Sequence, residues 1–380
     1  MRQEQRLLQG LARSVAEELR EASAPEGVMA EVFSRGAVAA LADSGLWAVA
    51  CPPPLGGMGG DPAALVLVAY ELARVSASLA LSFVAHSSVC RALDAFASEA
   101  LAGRYLPALA AGAVGAFAVH EPDSGVMSAA ITTRAEKSGE HLVVHGSKFF
   151  VTNGSEAEVI LALVRSEENL FSVLAIDESA PGLVRSHLDR RMGLNGVASC
   201  EIVFAECVVP RNQVVGQLGQ GMEVLKRALI EYAFFGAAAV SLGLAEACFE
   251  AALRHARERT IQGTPIGEQQ AVRLMIGEMD GLVAASRALL WGAVTRARES
   301  PPQTALLASQ SKRFVSEAAV RVADRAIQVC GGHGYCQELP LERRYRDARG
   351  LTLHYKTTEI LSLDVAGMLL SQGGTAPWPT

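Results

Sequence analysis

The sequence contains no CxxC pair, no internal repeat, no low-complexity linker and no cluster of Lys and Arg. Seven cysteines, Cys51, Cys90, Cys200, Cys207, Cys248, Cys330 and Cys336, form an odd set without paired spacing. They signal neither a disulfide framework nor a metal site, and a reducing cytoplasm fits best. Scattered basic residues under a net charge of −6 argue against nucleic acid or an anionic membrane as the main partner. Uncharged runs such as residues 105–119 and 233–245 fall short of the roughly 18 residues of a spanning helix. No membrane span is expected. The opening MRQEQRLLQGLARSVAEEL is a charged amphipathic helix without the apolar core of a signal peptide.

What is present is a globular chain of 380 residues, 50% hydrophobic, long enough to bury a large core in two or three packed substructures. Through residues 1–116 apolar side chains recur at helical spacing, as in Leu7, Leu8, Leu11, Val15 and Leu19. The break at residues 51–61, CPPPLGGMGGD, forbids a helix and reads as a connecting turn. Near Ala116 the period changes. Residues 129–136, 141–151, 159–164, 171–176 and 200–209 are short, β-branched segments bounded by turn formers, which predicts a compact β domain over residues 117–216. From residue 217 to 380 the helical period returns in four long patterns, 222–260, 268–299, 303–331 and 357–370, whose alanine content favours a close-packed bundle.

Four further stretches carry the functional signal. Residues 328–358 read QVCGGHGYCQELPLERRYRDARGLTLHYKTT, with a glycine cluster that lets backbone approach a ligand. Residues 146–154 read GSKFFVTNG, residues 118–125 AVHEPDSG, and residues 259–272 RTIQGTPIGEQQAV. Together with the 51–61 break they resemble the acyl-CoA dehydrogenase flavoprotein family, whose patterns include Q-x-x-G-G-x-G-[YF], R-D-A, G-x-K-x-[WFY]-[IV]-T-N and R-x-x-F-G-x-P-I-x-x-x-Q. The resemblance implies an α+β architecture: an N-terminal helical domain, a middle β-barrel or sandwich, and a C-terminal four-helix bundle. It also implies FAD and a homo-oligomer, dimer or tetramer, in which the cofactor reaches a neighbouring subunit.

Carried over residue by residue, Phe150, Val151 and Thr152 take the positions that face the flavin, with Phe117, Val119 and His120 on the adjoining strand and loop. Val126 stands where the family has a serine. Arg259, Gln328, Gly331 and Gly332 match the groups that meet the cofactor across a subunit interface, and Thr357 matches a threonine that contacts FAD. The family's Y-E-G-T-S-E is not kept: the glutamate that acts as base falls on Tyr355, preceded by His354 and followed by Lys356. A minority of the family places its base on the helix after the β domain. Counting forward from Gly221 puts that slot at Tyr232, and counting back from Gly243 puts it at Ala233, beside Glu231.

These matches imply a FAD-dependent dehydrogenase of an acyl thioester on CoA or an acyl carrier protein. The departures suit the branch of polyketide and peptide biosynthesis, and Glu231 and Tyr355 are the candidate catalytic residues. An electron-transferring flavoprotein is the electron acceptor by analogy. The alternatives are a flavin-dependent monooxygenase or oxidase on the same scaffold, and a catalytically silent relative.

Overall fold

The computed structural model describes residues 2–23, 32–123, 131–167, 170–187 and 191–371; Val126 lies outside them. Five helices come first: α1 (Gln3–Ser23), α2 (Arg35–Asp43), α3 (Pro62–Val75), α4 (Ala77–Phe96) and α5 (Glu99–Ala110). Their starts are written in the sequence. Ser34, Asp61, Ser76 and Ser98 each accept hydrogen bonds from backbone N–H groups of the first turn, and Pro62 sits where its missing N–H costs nothing. The 51–61 break is the connecting turn expected. It holds a short 3-10 segment, Pro53–Leu55, and Gly57 packs where a Cβ would stand 2.1 Å from the Cys51 carbonyl oxygen.

Eight strands follow: β1 (Gly115–Ala118), β2 (Arg134–Ser138), β3 (His141–Val151), β4 (Val159–Glu167), β5 (Leu170–Asp177), β6 (Leu183–His187), β7 (Cys200–Pro210) and β8 (Val214–Val215). They form one largely antiparallel sheet in the order β6-β7-β3-β2-β4-β5-β8, with β1 parallel to β4. The two-residue period of β4 divides its side chains between two cores. Val159, Leu161 and Leu163 join the large core shared with the helices, while Ile160, Ala162 and Val164 fill a second core inside the β layer. Strands β6 and β8 escaped the sequence reading because they are short or partly polar.

The C-terminal part begins with a 38-residue continuous helix, Gly221–Glu258, made of α6 (Gly221–Leu225), a π segment (Lys226–Ala233) and α7 (Phe234–Glu258). It is long and apolar enough to cross a membrane, contrary to the count of uncharged runs, which charged residues had interrupted. Its most apolar stretch, however, is 94% buried inside the protein, so the apolarity serves the core. A short hairpin, β9 (Thr260–Ile261) and β10 (Thr264–Pro265), leads to α8 (Gln270–Glu299), α9 (Thr304–Cys330), α10 (Gly332–Tyr335), α11 (Leu341–Leu353) and α12 (Thr358–Ser371). Helix α11 was not anticipated, because ERRYRDAR is basic and only a narrow stripe, Leu341, Ala348 and Leu351, is apolar and buried.

Helix α7 runs through the middle of the molecule and packs on α3, α4, α8 and α9. Glycine permits that approach. A Cβ at Gly243 would stand 2.3 Å from the Tyr70 carbonyl oxygen, and one at Gly236 2.7 Å from Val84. Gly243→Ala is therefore expected to destabilise the protein by roughly 1–3 kcal/mol through overpacking. Gly103→Ala, which meets nothing within 4 Å, should gain up to about 1 kcal/mol of helix propensity. Chemical denaturation of the two variants checks both signs.

Candidate active site

The end of β3 is irregular for a reason visible in its dihedrals. Its register with β7 shifts between Lys148 and Val151, and Phe150 and Asn153 both take left-handed backbone conformations, φ 51° and 65°. Such conformations cost non-glycine residues of order 1–3 kcal/mol each and persist where surrounding contacts enforce them. Here they turn Phe150 outward, 58% exposed, with its ring edge-on to Phe149 at 4.3 Å. Thr152 is turned inward. Asn153 Nδ2 donates to the carbonyls of Ser82 and Gly115, anchoring this corner to α4 and β1.

Beneath it lies a buried ion pair. Lys148 Nζ donates to Glu121 Oε1 at 2.8 Å and to the Val119 carbonyl, while Glu121 also accepts from Thr132 and Thr133. Burial pushes the Glu121 carboxyl up, yet Lys148 and the threonine donors outweigh it and hold its pKa at about 2. The pair ties the strand and loop of Phe117, Val119 and His120 to β3.

Facing this corner is the turn after α11. Tyr355 adopts φ 61°. His354 Nε2 lies 2.9 Å from Thr152 Oγ1, His120 Nε2 donates to the Tyr355 carbonyl at 2.9 Å, and Lys312 Nζ donates to the Lys356 carbonyl. The Tyr355 ring meets His354 at 4.2 Å and Phe234 at 6.0 Å. Thr357 Oγ1 accepts from the Ile360 N–H and so caps α12. Burial, reinforced by Lys312, His120 and Arg191, drives the His354 pKa down to about 3, so its imidazole is neutral. Burial pushes the Tyr355 phenol up. Neither group is a base in the ordinary range.

Glu231 sits in the π segment, one turn before Phe234. Its side chain is 9% exposed and ion-paired with Arg227 at 3.1 Å and Lys226 at 3.5 Å. The segment has the i→i+5 bonding of a π-helix, with the Phe234 N–H donating to the Leu229 carbonyl. One extra residue inside a helix is accommodated in this way. The one-residue disagreement between the counts from Gly221 and from Gly243 thus has a structural form, and neither α-helical count describes this stretch.

Eight buried side-chain polar atoms have no hydrogen-bond partner among the described residues, and six of them belong to Ser82, Ser87, Asn153, Tyr232, His354 and Tyr355. Orphaned buried polar atoms are costly and call for an explanation. His354 bonds Thr152 through its other ring nitrogen, and Tyr355 and Asn153 follow His354 and Thr152 in sequence, where the resemblance puts a flavin; the outward Phe150 offers an aromatic face. This mixed set of donors and acceptors fits a FAD. Arg259, Gln328, Gly331 and Gly332 are exposed elsewhere: Gly331 has φ 58° with open space at both glycines, and His333 lies 5.8 Å from His255 near Arg259. Helix α7, whose 25 residues span about 37 Å, runs from Phe234 at the Tyr355 ring to the residue before Arg259.

Three residues of the site were not singled out from sequence. Lys148 lay unassigned within GSKFFVTNG, and Arg191 carried no motif. Lys312 had a usable signal: Ala308, Lys312, Val315, Ser316 and Ala319 are all buried and recur at the spacing of one helix face.

Glu121→Gln leaves the Lys148 charge without its counterion, and a loss of about 3–5 kcal/mol is expected. In the parent protein the Glu121 contribution is complete above pH 4.5 and is lost as pH falls toward about 2. Lys312 works in the opposite range. Burial lowers its pKa from 10.5 to about 7, so the unfolded chain holds this proton across that window while the folded chain does not. Stability from this group rises with pH between those values, and Lys312→Met should remove its share of the slope in denaturation curves taken from pH 7 to 10.

The comparisons with known proteins cover nearly the whole chain. Profiles of the acyl-CoA dehydrogenase N-terminal, middle and C-terminal domains match residues 2–113, 116–207 and 219–370. A cyclohex-1-ene-1-carbonyl-CoA dehydrogenase of Syntrophus aciditrophicus (strain SB) is 33% identical over 97% of this chain and 90% of its own. The butyryl-CoA dehydrogenase structure from Megasphaera elsdenii superposes with a TM-score of 0.92 at 26% identity, covering 97% of this chain and 99% of that one. The prolyl acyl carrier protein oxidase AnaB gives 0.90 at 25% identity, with the same coverage. The chain belongs to the acyl-CoA dehydrogenase family, and is a flavoenzyme of the FAD-dependent oxidoreductase kind that this family comprises.

Proposed function

We propose that this enzyme oxidises a short acyl thioester carried by CoA or an acyl carrier protein, in secondary metabolism, with Glu231 as the proton acceptor. The observation that carries the reading is the buried corner where Thr152, His354, Tyr355 and Phe234 converge one helical turn from Glu231. When bound, FAD supplies the hydride acceptor. Thr152 and the backbone beside it would donate hydrogen bonds to the flavin edge, and the outward Phe150 would pack on its ring; the Val151 side chain is buried in the β core, so that residue offers only its backbone. Neutral His354 holds the Thr152 hydroxyl in place. Tyr355 fills the slot of the family glutamate and supplies shape and a hydroxyl. Lys226 and Arg227 pair with the Glu231 carboxylate, the group that would accept the substrate's α proton.

The roughly 37 Å between the ends of α7 supports a homo-oligomer, in which Arg259, Gln328, Gly331 and Gly332 of one copy meet the phosphates of the cofactor seated in another. Thr357 lies close enough in sequence to the Tyr355 turn to reach the flavin of its own copy. An electron-transferring flavoprotein as acceptor, and the cytoplasm as compartment, are part of the same reading. All seven cysteines are unpaired and six are buried, which suits a reducing compartment. The likeness to AnaB, named an oxidase of an acyl carrier protein substrate, favours one second reading, with oxygen as electron acceptor.

Anaerobic titration with acyl-CoA and acyl-carrier-protein thioesters should bleach the FAD absorbance. Glu231→Gln should slow bleaching at least 100-fold, and Tyr355→Phe less than tenfold. Bound FAD that no thioester bleaches overturns the dehydrogenase reading, and oxygen consumption matching turnover selects the oxidase. Arg259→Glu should lower FAD retention on gel filtration.

A further inference from the structure

Three of the orphaned groups, Ser82, Ser87 and Tyr232, lie beyond the corner assigned to the flavin. The Tyr232 side chain is 2% exposed and its hydroxyl has no partner among the described residues. Burial pushes this phenol up, and Arg91 and Cys90 of α4 are the groups that act on it most strongly after burial. Ser87 is one turn before Cys90 and Arg91, on the same face of α4. It is fully buried, and its hydroxyl is also unpartnered. The π segment packs directly on α4, and each of these two packed elements carries a buried hydroxyl with no partner among the described residues.

The seam between them is continuous with the active-site corner at both ends. Asn153, next to Thr152, donates to the Ser82 carbonyl on α4. Phe234, two residues after Tyr232, reaches the Tyr355 ring. From Ser82 to Cys90 α4 rises about 12 Å, a wall long enough for a short acyl group and too short for a long one. At its outer end Arg91, half-exposed, pairs with Asp94.

We propose that the acyl group carries a hydrogen-bonding substituent, a hydroxyl or an amine, which Tyr232 and Ser87 receive in this seam. The proposal rests on the acyl-thioester reading and adds the substrate class. A plain hydrocarbon chain would leave both hydroxyls buried and unpaired, whereas a polar substituent satisfies them. A site with buried hydrogen-bonding groups rejects an analogue that lacks the matching group far more strongly than an apolar pocket rejects an extra hydroxyl.

The test compares isosteric pairs as pantetheine thioesters on the FAD-loaded enzyme: γ-hydroxybutyryl against pentanoyl, and β-hydroxybutyryl against β-methylbutyryl. Dissociation constants come from calorimetry and oxidation rates from anaerobic flavin bleaching. The hydroxylated member of at least one pair should bind tenfold or more tightly. Tyr232→Phe and Ser87→Ala should each bring that ratio toward one, with melting temperatures no lower than the parent's, since each removes an unpaired group. Equal or weaker binding of both hydroxylated members overturns the proposal, as does a preference that survives both variants or a clear fall in melting temperature in both. Discrimination in binding without oxidation of any thioester leaves the seam standing and removes the dehydrogenase reading. Oxidation without discrimination does the reverse.

Discussion

The site depends on one turn being held from three directions. Thr152 from β3, His120 from the loop after β1 and Lys312 from α9 bond the side chain of His354 and the carbonyls of Tyr355 and Lys356. These bonds hold Tyr355 in a left-handed conformation that an aromatic residue does not adopt unaided. The same bonds join the β layer to the helical bundle at the place where the proposed flavin seat lies. Removing any one anchor would free the turn and change the shape of the seat.

The anchors are themselves costly, and the fold offsets them differently. Lys148 is buried against Glu121, whose oxygens also take backbone and hydroxyl donors, so the charge is paired. Lys312 is buried against a carbonyl and feels its carboxylates only at a distance, which is why burial carries its pKa to about 7. A buried amine that is half-neutral near pH 7 holds the turn by hydrogen bonding rather than by charge. His354 beside it is neutral chiefly because it is buried, with smaller contributions from Lys312, His120 and Arg191. The polar interior of the site therefore works through donors and acceptors.

Much of this was legible in the sequence, because its periods are clean. The alternation of β4, the serine and aspartate caps of α2 to α5, and the long apolar stripes of α8 and α9 are local signals that tertiary packing did not override. The family motifs supplied the corner of Phe150, Val151 and Thr152. Other features were illegible for physical reasons. Helix α11 is basic on most of its surface and is helical because of what it packs against. The orientation of Phe150 depends on a dihedral, not on a residue type. Lys312 reads as a surface lysine until the burial of its neighbours at helical spacing is weighed.

The π segment is the point at which sequence and structure inform each other most. A one-residue mismatch between two counts along a helix is noise if the helix is α throughout. A widened turn at Lys226–Ala233 makes the mismatch informative, because residues before it keep one phase and residues after it keep another. Gly236 and Gly243, after the turn, remain against α4 and α3. Gly221, before it, remains against the Phe171 and Ser172 backbone. With both ends pinned by glycine contacts that admit no Cβ, the extra residue has to be taken up between them. The side chains redirected there are Glu231 and Tyr232, one a carboxylate drawn to Lys226 and Arg227, the other a phenol driven into α4. A change in local helix type thus redirects one carboxylate and one orphaned hydroxyl, without altering the packing of the bundle around it.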